Sequence, residues 1–167
     1  PLTCSDNPYA SIINVPADYT TIQAGLNATS PGDTVLVVSG VYNGTIQFPS
    51  RSVVLASHYL LSNDLSDIED TVIDGGSSGT VIVINSNQDS TCAVIGFTIR
   101  DGFTMNQGGG ITVSGASPRI EWNRIHSNTS DRGGGILLQN SSSLIAHNLI
   151  EDNDFISPLG NPGGGIA

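Results

Sequence analysis

Short apolar runs recur along most of this chain, and glycine, serine, proline or asparagine separates them. Some runs alternate with polar residues at the two-residue period of a β-strand with one buried face, and others are continuously apolar, as in a fully buried strand. Outside the repeat described next, the runs lie at 12–15, 35–38, 45–48, 53–56, 71–74, 81–84 and 93–99. The pattern therefore predicts an all-β protein built from short strands.

Two segments, 108–128 and 133–153, repeat one another at a spacing of 25 residues. Both begin with three glycines and an isoleucine, and a third Gly-Gly-Gly-Ile follows at 163–166. A period this short suits one turn of a solenoid, here called a coil. The apolar positions of the two segments coincide, pairing Ile111 with Ile136, Val113 with Leu138, Ile120 with Ile145, and Ile125 with Ile150.

Each repeat contains three alternating runs, which predicts three short strands per coil. Residues that recur in every coil stack on themselves, so the strands pair in parallel with the next coil about 4.8 Å away. We therefore predict a parallel β-helix, and we expect the eight apolar residues paired above to point inward.

Asn123 and Asn148 occupy equivalent positions in the two repeats. Asparagine tolerates the left-handed backbone of a sharp bend, and stacked amides can hydrogen bond along the coil axis. We predict that these two residues form such a ladder. The alternative is that each one only ends a strand in solvent.

Residues 1–33 are predicted to form an N-terminal arm and a cap. Thr20 or Thr21 can begin a helix whose apolar side is Ile22 and Leu26, and Ser-Pro-Gly-Asp at 30–33 ends it. A helix this short is only marginally stable by itself. We therefore expect it to pack over the open end of the first coil. The chain is then one domain, 1–167, whose coils span 34–167 with the last coil incomplete and with an insertion near 58–70.

The chain has a formal net charge of -10, its five basic residues are all arginine, and two cysteines are present. Binding to nucleic acid or an anionic membrane depends on clustered cations, so we expect neither partner. No apolar run approaches 18 residues, so we expect no membrane insertion. Cys4 and Cys92 are candidates for a disulfide in a chain that looks exported, and two free thiols are the alternative.

Several motifs occur in order: Val-Pro-x-x-Tyr-x-Thr-Ile-Gln at 15–23, Pro-Gly-Asp-Thr-Val-Leu-Val at 31–37, Gly-Val-Tyr at 40–42, Thr-Val-Ile-Asp-Gly-Gly at 71–76, Ile-Gly-Phe-Thr-Ile-Arg-Asp-Gly at 95–102, and the Gly-Gly-Gly-Ile coils. Together they resemble the N-terminal part of secreted bacterial right-handed parallel β-helix repeat proteins with a pectin-lyase-like fold. The resemblance implies a right-handed β-helix and a secreted or cell-surface location. It is specific for fold and not for activity.

Enzymes of the fold that this chain resembles use acidic calcium ligands beside a basic residue, or clustered aspartates with a histidine. The catalytic candidates here are Asp131, Arg132 and Asp152, and Asp101 shares a surface column with Ser127 and Asp152. The alternative, which we favour, is that these carboxylates solvate turns. We expect no cofactor, because a solvated acidic loop is the favoured interpretation of the insertion, and calcium is the alternative. The candidate calcium ligands are Asp64, Asp67, Glu69 and Asp70.

We expect an extracellular structural or adhesive module without catalysis. The alternative is a polysaccharide-active enzyme, either a lyase or a glycoside hydrolase. The residues Gly163, Gly164, Gly165 and Ile166 open a new coil, and an unpaired parallel edge is a template for another chain. We expect this edge to be covered either by further coils or by a second copy, stacked end to end into a filament or face to face as a closed dimer. Carbohydrate is the second candidate partner.

Overall fold

A computed structural model describes residues 10–156 and 164–167 of the chain. Four sheets contain its strands, and every pairing between strands of a sheet is parallel. Sheet A contains β1 (Ile12–Val15), β2 (Thr34–Val37), β5 (Val54–Ser57), β8 (Ala93–Ile95), β12 (Arg119–Glu121) and β16 (Leu144–Ala146). Sheet B contains β3 (Gly40–Asn43), β6 (Thr71–Asp74), β9 (Thr98–Arg100), β13 (Arg124–His126) and β17 (Leu149–Glu151).

The other two sheets are narrower. Sheet C contains β4 (Ile46–Gln47), β7 (Ile82–Ile84), β11 (Ile111–Ser114) and β15 (Ile136–Gln139). Sheet D contains β10 (Phe103–Thr104), β14 (Thr129–Ser130) and β18 (Asp154–Phe155). The chain passes from sheet A to sheet B and on to sheet C, then returns to sheet A beside its previous strand. This arrangement of parallel sheets is all-β and is compatible with a parallel β-helix.

The prediction of three strands per coil is incomplete for the later coils. From β8 onward each coil adds a two-residue strand of sheet D between sheets B and C. Strands this short carry too few residues to show an alternating pattern. The predicted single strand at 93–99 is likewise wrong, because Gly96, with a φ of 81°, turns the chain from β8 in sheet A to β9 in sheet B.

The register of the two repeats matches the sequence alignment. Ile111 pairs with Ile136, and Ile120 pairs with Ile145, in parallel. In chain order, the first five of the eight residues predicted to point inward, from Ile111 to Ile136, are fully buried, which confirms their orientation. The remaining three lie in or beside the last described coil and are partly buried against the same core; they are Leu138, Ile145 and Ile150.

A short helix, α1 (Ile22–Ala28), follows β1 and covers the first coil. Thr21 begins it, and the Thr21 hydroxyl accepts a hydrogen bond from the Ala24 amide at 3.1 Å. Ile22 and Leu26 are buried in the core, which confirms the predicted apolar side. The helix lies so close to the strands that a Cβ at Gly25 would approach Val15 to 3.2 Å.

The insertion forms two further helices, α2 (Tyr59–Ser62) and α3 (Ser66–Asp70), between β5 and β6. α2 packs against β5 of sheet A, and α3 packs against β6 and β9 of sheet B. Tyr59 and Ile68 form a second apolar cluster with Ala56, Ala93 and Ile95. Sequence patterns predicted the insertion at the correct place. The helices have four and five residues, which is too short for a helical period to show.

Candidate functional site

The last described coil leaves strand edges without a partner strand among the described residues. β16, β17 and β18 are each the terminal strand of their sheet. The Leu149 amide donates to Asn123 in the coil below, so the amide of the next residue, Ile150, points away from that coil. Of the predicted self-association edge, Gly164 and Gly165 bond to the chain below, and Ile166 bridges Ile136 with 47% of its own surface exposed. Gly163 lies outside the described residues.

At the opposite end of the stack, side chains cover the edges of β1 and β4, while β3 is the terminal strand of sheet B. On β1, Asp18 accepts hydrogen bonds from the backbone and side-chain amides of Asn14, at 2.7 and 3.0 Å, and these bonds lower the pKa of Asp18. On β4, the Gln23 side chain accepts from the Gln47 amide at 2.8 Å and donates to the Gln47 carbonyl at 3.0 Å. Both edges therefore already bond to groups of the same chain.

The catalytic candidates lie on turns and do not converge. The Asp131 carboxylate accepts a hydrogen bond from the Asn106 amide, and Arg132 is exposed in the same turn after β14. Asp152 lies in the turn before β18. Among the described residues no ion pair or side-chain hydrogen bond joins any two of the three.

Asp101, Ser127 and Asp152 do form the column that the sequence predicts, at the turn that leaves sheet B. All three have left-handed backbones, with φ of 55°, 56° and 49°. Ser127 donates its amide to the Asp152 carbonyl at 2.9 Å. Short polar side chains tolerate this conformation, so the column has a backbone role.

The asparagines form two ladders. The Asn123 side-chain amide donates to the Asn148 oxygen at 3.1 Å, and the Asn123 oxygen accepts from the Phe97 amide at 3.0 Å. Asn128 and Asn153 repeat the arrangement at the next turn of their coils, where the Asn128 side-chain amide donates to the Asn153 side-chain oxygen at 3.0 Å. Each ladder satisfies backbone groups that the turns would leave unpaired inside the coil.

The left-handed residue at these turns is not the asparagine. Trp122 and His147, each with φ of 57°, precede Asn123 and Asn148. This corrects the expectation that asparagine makes the bend. Its side chain points inward to bond with neighbouring coils, and the residue before it turns the chain.

The acidic insertion does not form a metal site among the described residues. No group of three or more histidine, cysteine, aspartate or glutamate side chains converges there. Asp64 accepts from the Ser66 amide at 3.0 Å, which lowers the pKa of Asp64, and Asp67 accepts from the Ser62 hydroxyl. These two carboxylates stabilise the helices, while Glu69 and Asp70 lie exposed on α3.

Cys92 is fully buried next to β8. Burial raises the pKa of its thiol to about 11. Cys4 lies outside the described residues, so the disulfide stays a prediction.

Charged side chains line the outer face of sheet B in internal pairs. Arg100 bonds to Asp74 at 2.9 Å, and Arg124 bonds to Glu151 at 2.9 Å. His126 lies between them in the sheet, and partial burial, followed by the charges of Arg124 and Arg100, lowers its pKa. This outer face of sheet B is therefore polar, and carboxylates neutralise the charges of Arg100 and Arg124.

An aromatic stack lies at the corner between sheets A and B. The Trp122 ring stacks on His147 with centroids 4.4 Å apart, and Tyr59 lies 5.4 Å from Trp122 on the other side. Gly96 occupies the equivalent position one coil below, where a Cβ would approach the Tyr59 Cβ to 2.8 Å. The missing side chain makes room for Tyr59.

A groove runs beside this stack, between α3 and the corner. Leu65 and Ile68 form one wall, and Trp122, His147 and Leu149 form the other. This stack was not predicted from the sequence, although the repeat spacing of 25 residues between Trp122 and His147 is a signal that could have found it. The sequence does not predict the α3 wall, because the insertion belongs to no repeat.

No family model matches this chain, and no curated protein or solved structure matches it. Among the described residues no helix has the length and apolar character needed to cross a membrane.

Proposed function

We propose that this chain is an extracellular structural and adhesive module, a right-handed parallel β-helix of the pectin-lyase-like kind, which associates with itself through its last described coil. Parallel strands joined by a crossover are right-handed in about 98% of cases, which supports the handedness. The motif series at 15–102 and the Gly-Gly-Gly-Ile coils support the fold family. The secreted location rests on that resemblance.

The observation that carries self-association is the difference between the two ends. Side chains of Asp18 and Gln23 occupy the edges of β1 and β4, whereas β16, β17 and β18 have unpaired edges in the described part of the chain. Unpaired parallel edges accept further strands. Because the edges of β1 and β4 at the opposite end are covered, two copies that meet through their last coils are favoured over a head-to-tail filament.

Sedimentation velocity over a range of protein concentrations tests this proposal. The unchanged chain should form a dimer as the concentration rises. Ile145→Lys places an inward charge on β16 and should leave a monomer, since inward charges protect strand edges. Leu144→Lys, on the outer face of the same strand, is the matched control and should still dimerise. A chain that stays monomeric at all concentrations, or equal loss of dimer in both variants, would contradict the proposal.

A non-catalytic role is proposed because the candidate groups do not converge. General acid–base chemistry needs an acid and a base within reach of one substrate atom. Asp131 bonds to a neighbouring backbone amide, and Asp152 lies on a different turn. Incubation with a panel of acidic polysaccharides tests this. Sugar release that Asp131→Ala or Arg132→Ala abolishes would instead establish the polysaccharide-active alternative.

A further inference from the structure

Four large apolar side chains lie exposed in the groove or in the shallower depression on the other side of Trp122. Leu65 is 61% exposed, Leu149 is 53% exposed and Trp122 is 37% exposed. Leu65 and Leu149 face each other across the groove beside Trp122. A clustered apolar surface of this kind marks a contact site, whereas single exposed apolar residues do not. The four are Leu60, Leu65, Trp122 and Leu149.

The walls of the groove differ in charge. On the corner side, Arg119 is paired with Glu121 at 2.9 Å, and Arg124 is paired with Glu151 at 2.9 Å. The positive charges of Arg119 and Arg124 are therefore already neutralised within the chain. Across the groove, the insertion carries only acidic charged residues, which are Asp64, Asp67, Glu69 and Asp70.

Glu69 lines the groove itself, on α3, the helix that Leu65 directly precedes. No arginine of the described chain forms an ion pair with it. The groove therefore combines apolar side chains on both walls with the unpaired negative charge of Glu69 on the α3 wall.

We propose that this groove binds a basic amphipathic segment of another protein, with apolar side chains between Leu65 and Leu149 and lysine or arginine facing the α3 carboxylates. Charge complementarity selects this occupant. A second copy carries the same acidic wall and a net charge of -10, so it would be repelled there. Anionic polymers are disfavoured for the same reason.

A neutral glycan is also disfavoured by the ring geometry. Sugars bind the open faces of aromatic rings, but Tyr59 and His147 lie against the two sides of Trp122. Trp122 instead presents ring edges to the groove, where aliphatic side chains pack well. His147 and Leu149 belong to the last described coil, but the groove is formed by outward side chains, whereas self-association uses the backbone edges of β16, β17 and β18. The inference therefore does not rest on self-association.

Trp122 is the sole tryptophan of the chain, so its fluorescence reports directly on the groove. The probe is a short amphipathic peptide of leucine and lysine, titrated into the intact chain at low and at high salt. Binding should shift the Trp122 emission to shorter wavelength, and high salt should weaken it. A leucine–glutamate peptide of the same pattern and a soluble neutral glycan are the comparison ligands, and neither should shift the emission.

Variants separate the apolar and charged contributions. Leu65→Ser with Leu149→Ser should weaken binding of the leucine–lysine peptide by about tenfold or more, because each lost leucine removes buried apolar surface. Glu69→Gln with Asp70→Asn should weaken binding by about threefold and reduce its salt dependence. Val41→Ser, at an exposed valine on the distant strand β3, is the control and should leave binding unchanged.

Several results would overturn the proposal. The leucine–glutamate peptide or the glycan could shift Trp122 as strongly as the leucine–lysine peptide. The leucine–lysine peptide could bind the double leucine variant and the unchanged chain equally, or bind neither. Emission that shifts with protein concentration alone would assign the groove to a second copy. Circular dichroism melts of the variants establish that each one is folded.

Discussion

The two ends of this stack of coils have similar strands, but their strand edges are covered to different extents. At the first coil, α1 buries Leu26 against the core, and the side chains of Asp18 and Gln23 bond to backbone groups on the edges of β1 and β4. At the last described coil, Ile150 is only partly buried, and β17 has a partner strand on one side among the described residues. A solenoid of repeated units thus depends on non-repeated residues to close an end.

The largest expected difference between the ends is in core packing. Leu26→Ala should lower the free energy of unfolding by about 2–5 kcal/mol, because a fully buried leucine leaves a cavity. Ile150→Ala should lower it by about 1–2 kcal/mol, because water already reaches part of this side chain. Urea denaturation of both variants measures the difference. Equal losses would mean that the last coil is as well covered as the first.

Interior and terminal positions of one asparagine ladder should also differ. Asn128 is fully buried, and its oxygen accepts the Gly102 amide at 2.9 Å. Asn128→Ala should cost about 2–3 kcal/mol, since it leaves buried groups unpaired. Asn153→Ala should cost about 1 kcal/mol, because that residue is partly exposed to water. A larger loss at Asn153 in urea denaturation would contradict the account.

The first-coil edges should become reactive when their protecting side chains are removed. Gln23→Ala frees the Gln47 amide and carbonyl and should cost about 1 kcal/mol. The freed edge should also add association between first coils, which sedimentation would detect as species larger than those of the unchanged chain. Ala28→Ser, at an exposed position of the same helix, is the control. No change in association after Gln23→Ala would show that α1 alone closes this end.

The smallest expected effect is a pH dependence from His126. Its pKa in the folded chain is lowered by burial and by Arg124 and Arg100, so the unfolded chain binds a proton more readily. Stability should therefore fall as the pH decreases through about 6.5, the ordinary histidine pKa, toward the lowered value. His126→Gln should flatten this part of the stability profile. A second fall near pH 4, from Asp18, should persist in that variant as an internal control.

Sequence patterns predicted what the repeat imposes. The pairing of Ile111 with Ile136, the inward side chains and the Thr21 helix start all follow from spacing and local chemistry. Sheet D was not predicted, because a two-residue strand has no period. The α3 wall of the groove was not predicted either, since contact between Leu65 and the Trp122 corner arises from tertiary packing of an insertion. Edge closure by Asp18 and Gln23 likewise depends on where the coil brings Asn14 and Gln47.

Hydrogen–deuterium exchange at several protein concentrations tests the central claim most directly. The amides of Ile145 and Ile150 point away from the coil below, since those of Leu144 and Leu149 donate to it. The account predicts that exchange at Ile145 and Ile150 slows as the protein concentration rises, while exchange along β1 and β4 stays constant. Exchange at Ile145 and Ile150 that is independent of concentration, or protection that grows at β1 and β4 instead, would contradict it.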